Sequence, residues 1–294
     1  VNKTVLSGVA LTVFAYFLFS MQDASVKLLA AGLPIAQILF VRSVVILALC
    51  LAVGGRKLPV AMARSPVLFP MLSRNVLLLL AWLTFYTASR DLGLAQLTTI
   101  YYASPVIVTL LAAPMLKEHV PPLRWLAVGV GFVGVLLASD PFADGLGVSR
   151  PVMLAFSAAV FWALSAILLR KTAMAERTLV QMAISSGFFI LMTGAACVFL
   201  WMPISFMSLA LMAGVGIFAG VAQFAYFESI RRAPVSLLAP FEYTSLVWAF
   251  VLGYVIWGDK PQWHVFGGAG FIVAAGALAL LSERHKSAGV KNQA

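Results

Sequence analysis

Glu242 is the one acidic residue in the apolar stretch 235–257. A carboxylate surrounded by hydrocarbon is costly, and it normally faces a bundle interior or a water-filled cavity. There it can meet the ammonium group of a solute or take up and release a proton; bracing a neighbouring helix or backbone is the structural alternative. Arg42 lies at similar depth in the stretch 34–53. Its guanidinium can grip a carboxylate bidentately. It can also pair with Asp23, the preferred reading, or snorkel to the interface. Tyr101 and Tyr102 are followed by Ser104 and Pro105, a proline that frees the Tyr101 carbonyl from its helical bond. A freed carbonyl at membrane depth must face protein or water. With Tyr243, the residues Trp82, Tyr86, Trp162, Gln223 and Tyr226 form a set of aromatic and amide groups suited to an amphipathic organic solute. Each of these five taken alone is better explained by packing or by an interfacial aromatic belt than by a site.

Enzyme chemistry lacks its usual parts. There is no phosphate-binding Gly-rich Lys motif, no nucleophile elbow and no His-Glu-x-x-His pattern. The histidines His119, His264 and His285 sit apart at helix ends, and Cys50 and Cys197 have no partner at metal-ligand spacing. The expectation is therefore no enzyme, no metal and no cofactor.

The elements that must hold these residues are membrane helices. Of 294 residues, 62% are hydrophobic and 10% charged, with a mean hydropathy of +1.01. Soluble domains run near 25% charged. Ten apolar runs predict helices at about 4–22, 34–53, 73–90, 94–115, 123–139, 151–169, 178–200, 208–229, 235–257 and 263–282. Each is close to the roughly 20 residues a bilayer requires. The lack of alternation favours helices over barrel strands. The first run follows a lone Lys3 and has no convincing cleavage site, so it is read as a helix rather than a signal peptide. Residues 283–294 read as a polar, mobile cytoplasmic tail.

A net charge of +10 does not imply nucleic acid, because the cations lie between the apolar runs. With the N-terminus in the cytoplasm, fifteen Lys and Arg fall on the inner side, Arg74 and Arg124 among them, and four on the outer. This bias places both termini inside a cell membrane. The chain also repeats itself. Tyr101-Tyr102-Ala103-Ser104 aligns with Glu242-Tyr243-Thr244-Ser245 at an offset of 141, as does Glu118 with Asp259. Lys27 and Gln37 match Lys171 and Gln181 at an offset of 144. Two halves are expected, 1–145 and 146–282, of five helices each. An odd number of crossings turns the second half upside down, the inverted repeat of secondary transporters.

The motifs carry a resemblance. Ala239-Pro240-Phe241-Glu242-Tyr243-Thr244-Ser245 is followed by Trp257-Gly258-Asp259 and a Gly-rich helix; the first half has Ser104-Pro105, Leu116-Lys117-Glu118 and Trp125 before its own. Over nearly its full length the chain resembles the EamA branch of the drug/metabolite transporter superfamily. It departs at Leu246, where the first half has Pro105, and at Asp259, where the family usually has Glu. The resemblance implies ten helices in two inverted halves around a central cavity. It implies a secondary carrier exporting amino acids, aromatic or otherwise amphipathic, or related small metabolites, by alternating access. Length and the aromatic-rich second half are most similar to amino-acid exporters of the YddG type. An exporter of other drugs or metabolites in the same fold, or a passive channel, is the alternative. The implied partners are the bilayer and a small organic solute, and a monomer suffices. Anionic solutes would call for more buried cations than Arg42 alone. The remaining acids have structural readings: Glu118 and Asp259 brace loops, and Glu228 pairs with Arg231 and Arg232.

Overall fold

The structure, a computed structural model, describes residues 3–30, 32–88, 91, 100–139, 149–258 and 263–291. Every regular element among them is helical. The helices are α1 (Lys3–Ala30), α2 (Ile35–Gly54), α3 (Leu68–Ala88), α4 (Ser104–Leu116), α5 (Pro122–Ser139), α6 (Arg150–Ala173), α7 (Thr178–Leu200) and α8 (Phe206–Arg232). A composite α9 follows (Val235–Leu238, then the 3-10 segment Ala239–Tyr243, then Thr244–Trp257), and α10 (Trp263–Lys291) closes the chain. A 3-10 turn at Gly55–Lys57 and a short helix, Leu58–Ala63, lie between α2 and α3. Seven of the apolar helical stretches are long enough to cross a bilayer and three are shorter. Large apolar side chains cover the outside: Phe199, Phe206 and Trp263 are 88%, 86% and 89% exposed. Such a surface is stable against lipid, not water.

Several predicted boundaries move, for one reason: polar side chains end an apolar run without ending a helix. α1 continues past residue 22 to Ala30, its polar end tolerated because the Ser25 hydroxyl donates back to the Met21 carbonyl at 2.9 Å. Residues 283–291, expected to be a mobile tail, continue α10. α3 starts at Leu68 rather than 73, with Pro70 in its first turn, where a missing N–H costs nothing. Arg74 is thereby carried inside the helix.

The other corrections concern breaks. The stretch expected to be one helix over 235–257 is interrupted by the 3-10 segment Ala239–Tyr243, because Pro240 removes an N–H from the ladder. In the fourth stretch residues 92–99 lie outside the described residues. Beyond them a turn at Tyr102–Ala103 precedes α4, so Pro105 occupies the first turn of a helix rather than its interior. Lys117 and Gly258 end α4 and α9 in the same left-handed conformation, at φ 55° and 73°.

Packing follows a pattern of exchange. α1 packs on α8, and α6 packs on α3. α4 lies on α6, and α9 on α1; α2 meets α8, and α7 meets α3. α2 with α7, and α5 with α10, form pairs of their own. Replacing each helix by the one five places along leaves this set unchanged. Small residues permit the closest contacts. Ala155, Ala158, Ala159, Ala163 and Ala166 bury one stripe of α6. A side chain on Gly134 would reach within 2.8 Å of the Gly268 carbonyl oxygen and 2.9 Å of the Phe271 Cβ on α10. One on Gly216 of α8 would strike Val45 of α2 at 2.6 Å.

Gly134→Val should therefore cost about 1–3 kcal/mol. Gly129, whose added Cβ would meet nothing within 4 Å, should accept alanine with no loss. Thermal unfolding in detergent compares the two.

Candidate functional site

Glu242 lies in the 3-10 segment of α9 and is 5% exposed. Its Oε2 accepts from the Ser104 hydroxyl at 3.5 Å and from the Trp162 indole N–H at 3.4 Å. These bonds are long, and a carboxylate can accept about four. Its acceptor capacity is therefore not used up. Among the described residues no Lys, Arg or His pairs with it.

Aromatic rings surround this carboxylate. Trp162 stacks on Tyr226 with centroids 6.1 Å apart and lies 6.4 Å from Tyr101. Tyr226 meets Tyr16 edge-on at 5.8 Å, and Tyr101 meets Tyr102 at 6.1 Å. The Tyr16 hydroxyl neighbours Glu242 without closing a hydrogen bond to it. The helix breaks bring these groups together. Tyr102 bonds Ser245 at 2.6 Å, and the Ser245 hydroxyl donates to the Glu242 carbonyl at 2.6 Å. The carbonyl opened by the 3-10 segment is thus satisfied from within the protein.

Trp162 and Tyr226 form a common wall between this carboxylate and a cavity. About 60 Å³ of the cavity is open to the centres of water molecules, room for about four of them. Trp82, Gln223, Arg42 and Arg74 line it, with the hydroxyls of Ser43, Ser165, Ser185 and Ser186. Arg42 lies over the Trp82 ring at 4.8 Å, close enough to Asp23 for attraction. Trp82 itself stacks on Phe189 at 4.7 Å.

Most of the residues expected at the site are brought together: Glu242, Tyr101, Tyr102, Trp162 and Tyr226 around the carboxylate, Trp82, Gln223 and Arg42 around the cavity. Tyr243 is not among them. It is fully buried and packs on Tyr102, Val135, Leu246 and Ile272, because the residue after Glu242 points away from the cavity into the α5–α10 contact. The side chain of Tyr86 lies outside the described residues, as does Asp259. Two residues were missed. Tyr16 is one ring in an apolar helix, with no polar neighbour to mark it. Arg74, counted among the cytoplasmic cations, is 2% exposed inside α3. Pro70, read as a helix start, would have signalled it. Its presence corrects the expectation that Arg42 is the only buried cation near the cavity.

Other charged residues make contacts within the protein. Glu118 caps the start of α9, accepting from the Val235 and Ser236 N–H groups at 3.2 and 3.3 Å and from the Ser236 hydroxyl at 2.7 Å. Arg170 of α6 pairs with it at 3.8 Å and donates to the Ile230 carbonyl at the end of α8. Arg124, 1% exposed, donates to Ser236. Glu228 pairs with Arg231 and Arg232, as expected, and also accepts from Thr178. Gln37, too near a helix end to be a site, clasps both backbone groups of Met202. No cluster of potential metal ligands occurs among the described residues.

An apolar helical bundle with buried charges and hydroxyls gathered along a cavity between its helices defines a multi-pass membrane protein. The model of the EamA-like transporter family matches residues 6–140 and again 149–281. The chain belongs to that family. It is similar to the pseudopaline exporter CntI of Pseudomonas aeruginosa, 27% identical over 92% of this chain and 94% of that protein. It is also similar to the S-adenosylmethionine uptake transporter of Rickettsia prowazekii, 24% identical over 96% and 95%. A solved crystal structure superposes with a TM-score of 0.80 over 95% of this chain and 98% of the other; at 18% identity this shows a shared fold. The protein is thus a membrane transporter of a family that handles small metabolites. Neither relative is named for amino-acid export.

Glu118→Ala removes a cap from α9 and should lower stability by about 1–2 kcal/mol. Glu228→Ala breaks partly exposed ion pairs and should cost less than about 1 kcal/mol. Thermal melts of the two variants in one detergent test the ranking.

Proposed function

We propose that the protein is a secondary carrier for small amphipathic metabolites bearing an amine, amino acids among them. Residues 1–145 and 146–282 act as two five-helix halves of opposite orientation. The exchange of packing partners five helices apart supports this, as do the matched breaks before α4 and within α9 and the matched left-handed ends at Lys117 and Gly258. Both termini lie in the cytoplasm, since removing Arg74 from the inner count leaves the positive bias intact.

One observation carries the reading of the solute: a buried carboxylate with no cationic partner among the described residues, boxed by aromatic rings at the edge of a cavity. An ammonium group satisfies both parts, the charge through Glu242 and the ring faces through cation–π attraction. The apolar part of the solute rests on Trp162, Tyr226 and Trp82. The 60 Å³ cavity is smaller than the 300–1,000 Å³ typical of ligand sites. Binding therefore requires the walls to separate, as alternating access does. A carrier with no energy source of its own runs along the combined gradients. Export, for which one relative is named, and uptake, for which the other is named, are both within its reach. The expected direction here is export.

Proteoliposomes loaded with a pool of labelled amino acids test the proposal. At least one member should leave faster when unlabelled solute is present outside; its efflux without such acceleration indicates a pore. Retention of the whole pool removes amino acids as substrates. Glu242→Gln should slow transport about tenfold or more, the value of a charge-assisted bond.

A further inference from the structure

Arg74 is a buried cation in search of an anion. Its side chain sits in the cavity wall at 2% exposure. One terminal nitrogen donates to Asn75 Oδ1 at 3.2 Å and to the Ser185 hydroxyl at 3.3 Å. The guanidinium lies over the Phe227 ring at 4.8 Å, and its Nε–H has no acceptor. Among the described residues no carboxylate pairs with it. Guanidinium offers five donors, and a buried charge left uncompensated is strongly destabilising. Neutral hydroxyls and one ring do not supply the missing charge.

We propose that the cavity holds an acid-binding subsite in which Arg74 takes the carboxylate of the transported solute. Resting on the carrier reading, this makes the solute a zwitterion: its acid lies at Arg74, its ammonium at Glu242, and the Trp162–Tyr226 wall between them contacts its body. Charge balance selects a carboxylate over a phosphate. Arg42, the other cation of the wall, lies over the Trp82 ring at 4.8 Å, which leaves the single charge of Arg74 for the solute's acid, whereas a phosphate monoester carries about −1.5 to −2. The Ser185 hydroxyl already donates to Asn75 Oδ1 at 2.9 Å; Ser186, on the same cavity wall, is the hydroxyl placed to donate to an oxygen that Arg74 does not reach.

Trp82 and Trp162 line the cavity and report on its occupancy. Tryptophan fluorescence of the full-length protein in detergent is titrated with benzoate, with neutral benzamide and with phenyl phosphate. Benzoate should bind at least tenfold more tightly than benzamide, and Arg74→Gln should abolish that difference. Equal binding of benzoate and benzamide, no binding of any probe, or benzoate binding unchanged in Arg74→Gln overturns the subsite. Tighter, Arg74-dependent binding of phenyl phosphate overturns the choice of carboxylate. If Arg74→Gln is not monodisperse, Arg74→Lys decides: it keeps the charge but loses the fork, so benzoate affinity should fall about three- to tenfold, and unchanged affinity sinks the proposal. The carrier reading stands apart from this, since failed counterflow together with Arg74-dependent benzoate binding removes the carrier and leaves the acid site.

Discussion

Ionised groups in a medium that cannot hydrate them set the terms for this protein. Each buried charge must find a partner, coordinate something or lie against a polar cavity. Glu118, Arg170 and Glu228 find partners near the helix ends. Glu242 and Arg74 do not pair, with each other or with any other described residue, although their charges are opposite. Trp162 and Tyr226 stand between the carboxylate and the cavity. The fold thus keeps apart two charges that would otherwise neutralise each other. That separation costs stability.

The backbone obeys the same constraint. In hydrocarbon only complete helices satisfy their own N–H and C=O groups, so each interruption must be repaired from inside the protein. In the 3-10 segment at Ala239–Tyr243 the Glu242 carbonyl is satisfied by the Ser245 hydroxyl, which is in turn bonded to the Tyr102 hydroxyl beside the other interruption. The two interruptions meet each other through Tyr102–Ser245 and Ser104–Glu242. Glycine and alanine bring the surrounding helices close enough for this to work. Gly134 sets α5 against α10 and the alanine stripe of α6 sets it against α3 and α4.

Much of this was legible in the residues. Apolar run length marked the helices, because span length is dictated by bilayer thickness. The lone acid in 235–257 marked a carboxylate buried among aromatic rings, because a charge there has few cheap explanations. The aligned pairs Tyr101-Tyr102 and Glu242-Tyr243 pointed to the two broken helices. Arg74 was misplaced because a cation near a predicted boundary looks interfacial, and the helix in fact begins five residues earlier. Tyr243 was misplaced because adjacency to Glu242 says nothing of direction: consecutive residues of a 3-10 segment point about 120° apart, and this one faces α5 and α10.

By itself, the sequence determined the solvent, the helical class and the duplicated order of motifs, since these depend on local composition and spacing. Only the tertiary structure decided which polar side chains share a cavity. Arg42, Arg74, Trp162 and Gln223 come from four different helices, and helix rotation and packing, not distance along the chain, determine what each one faces.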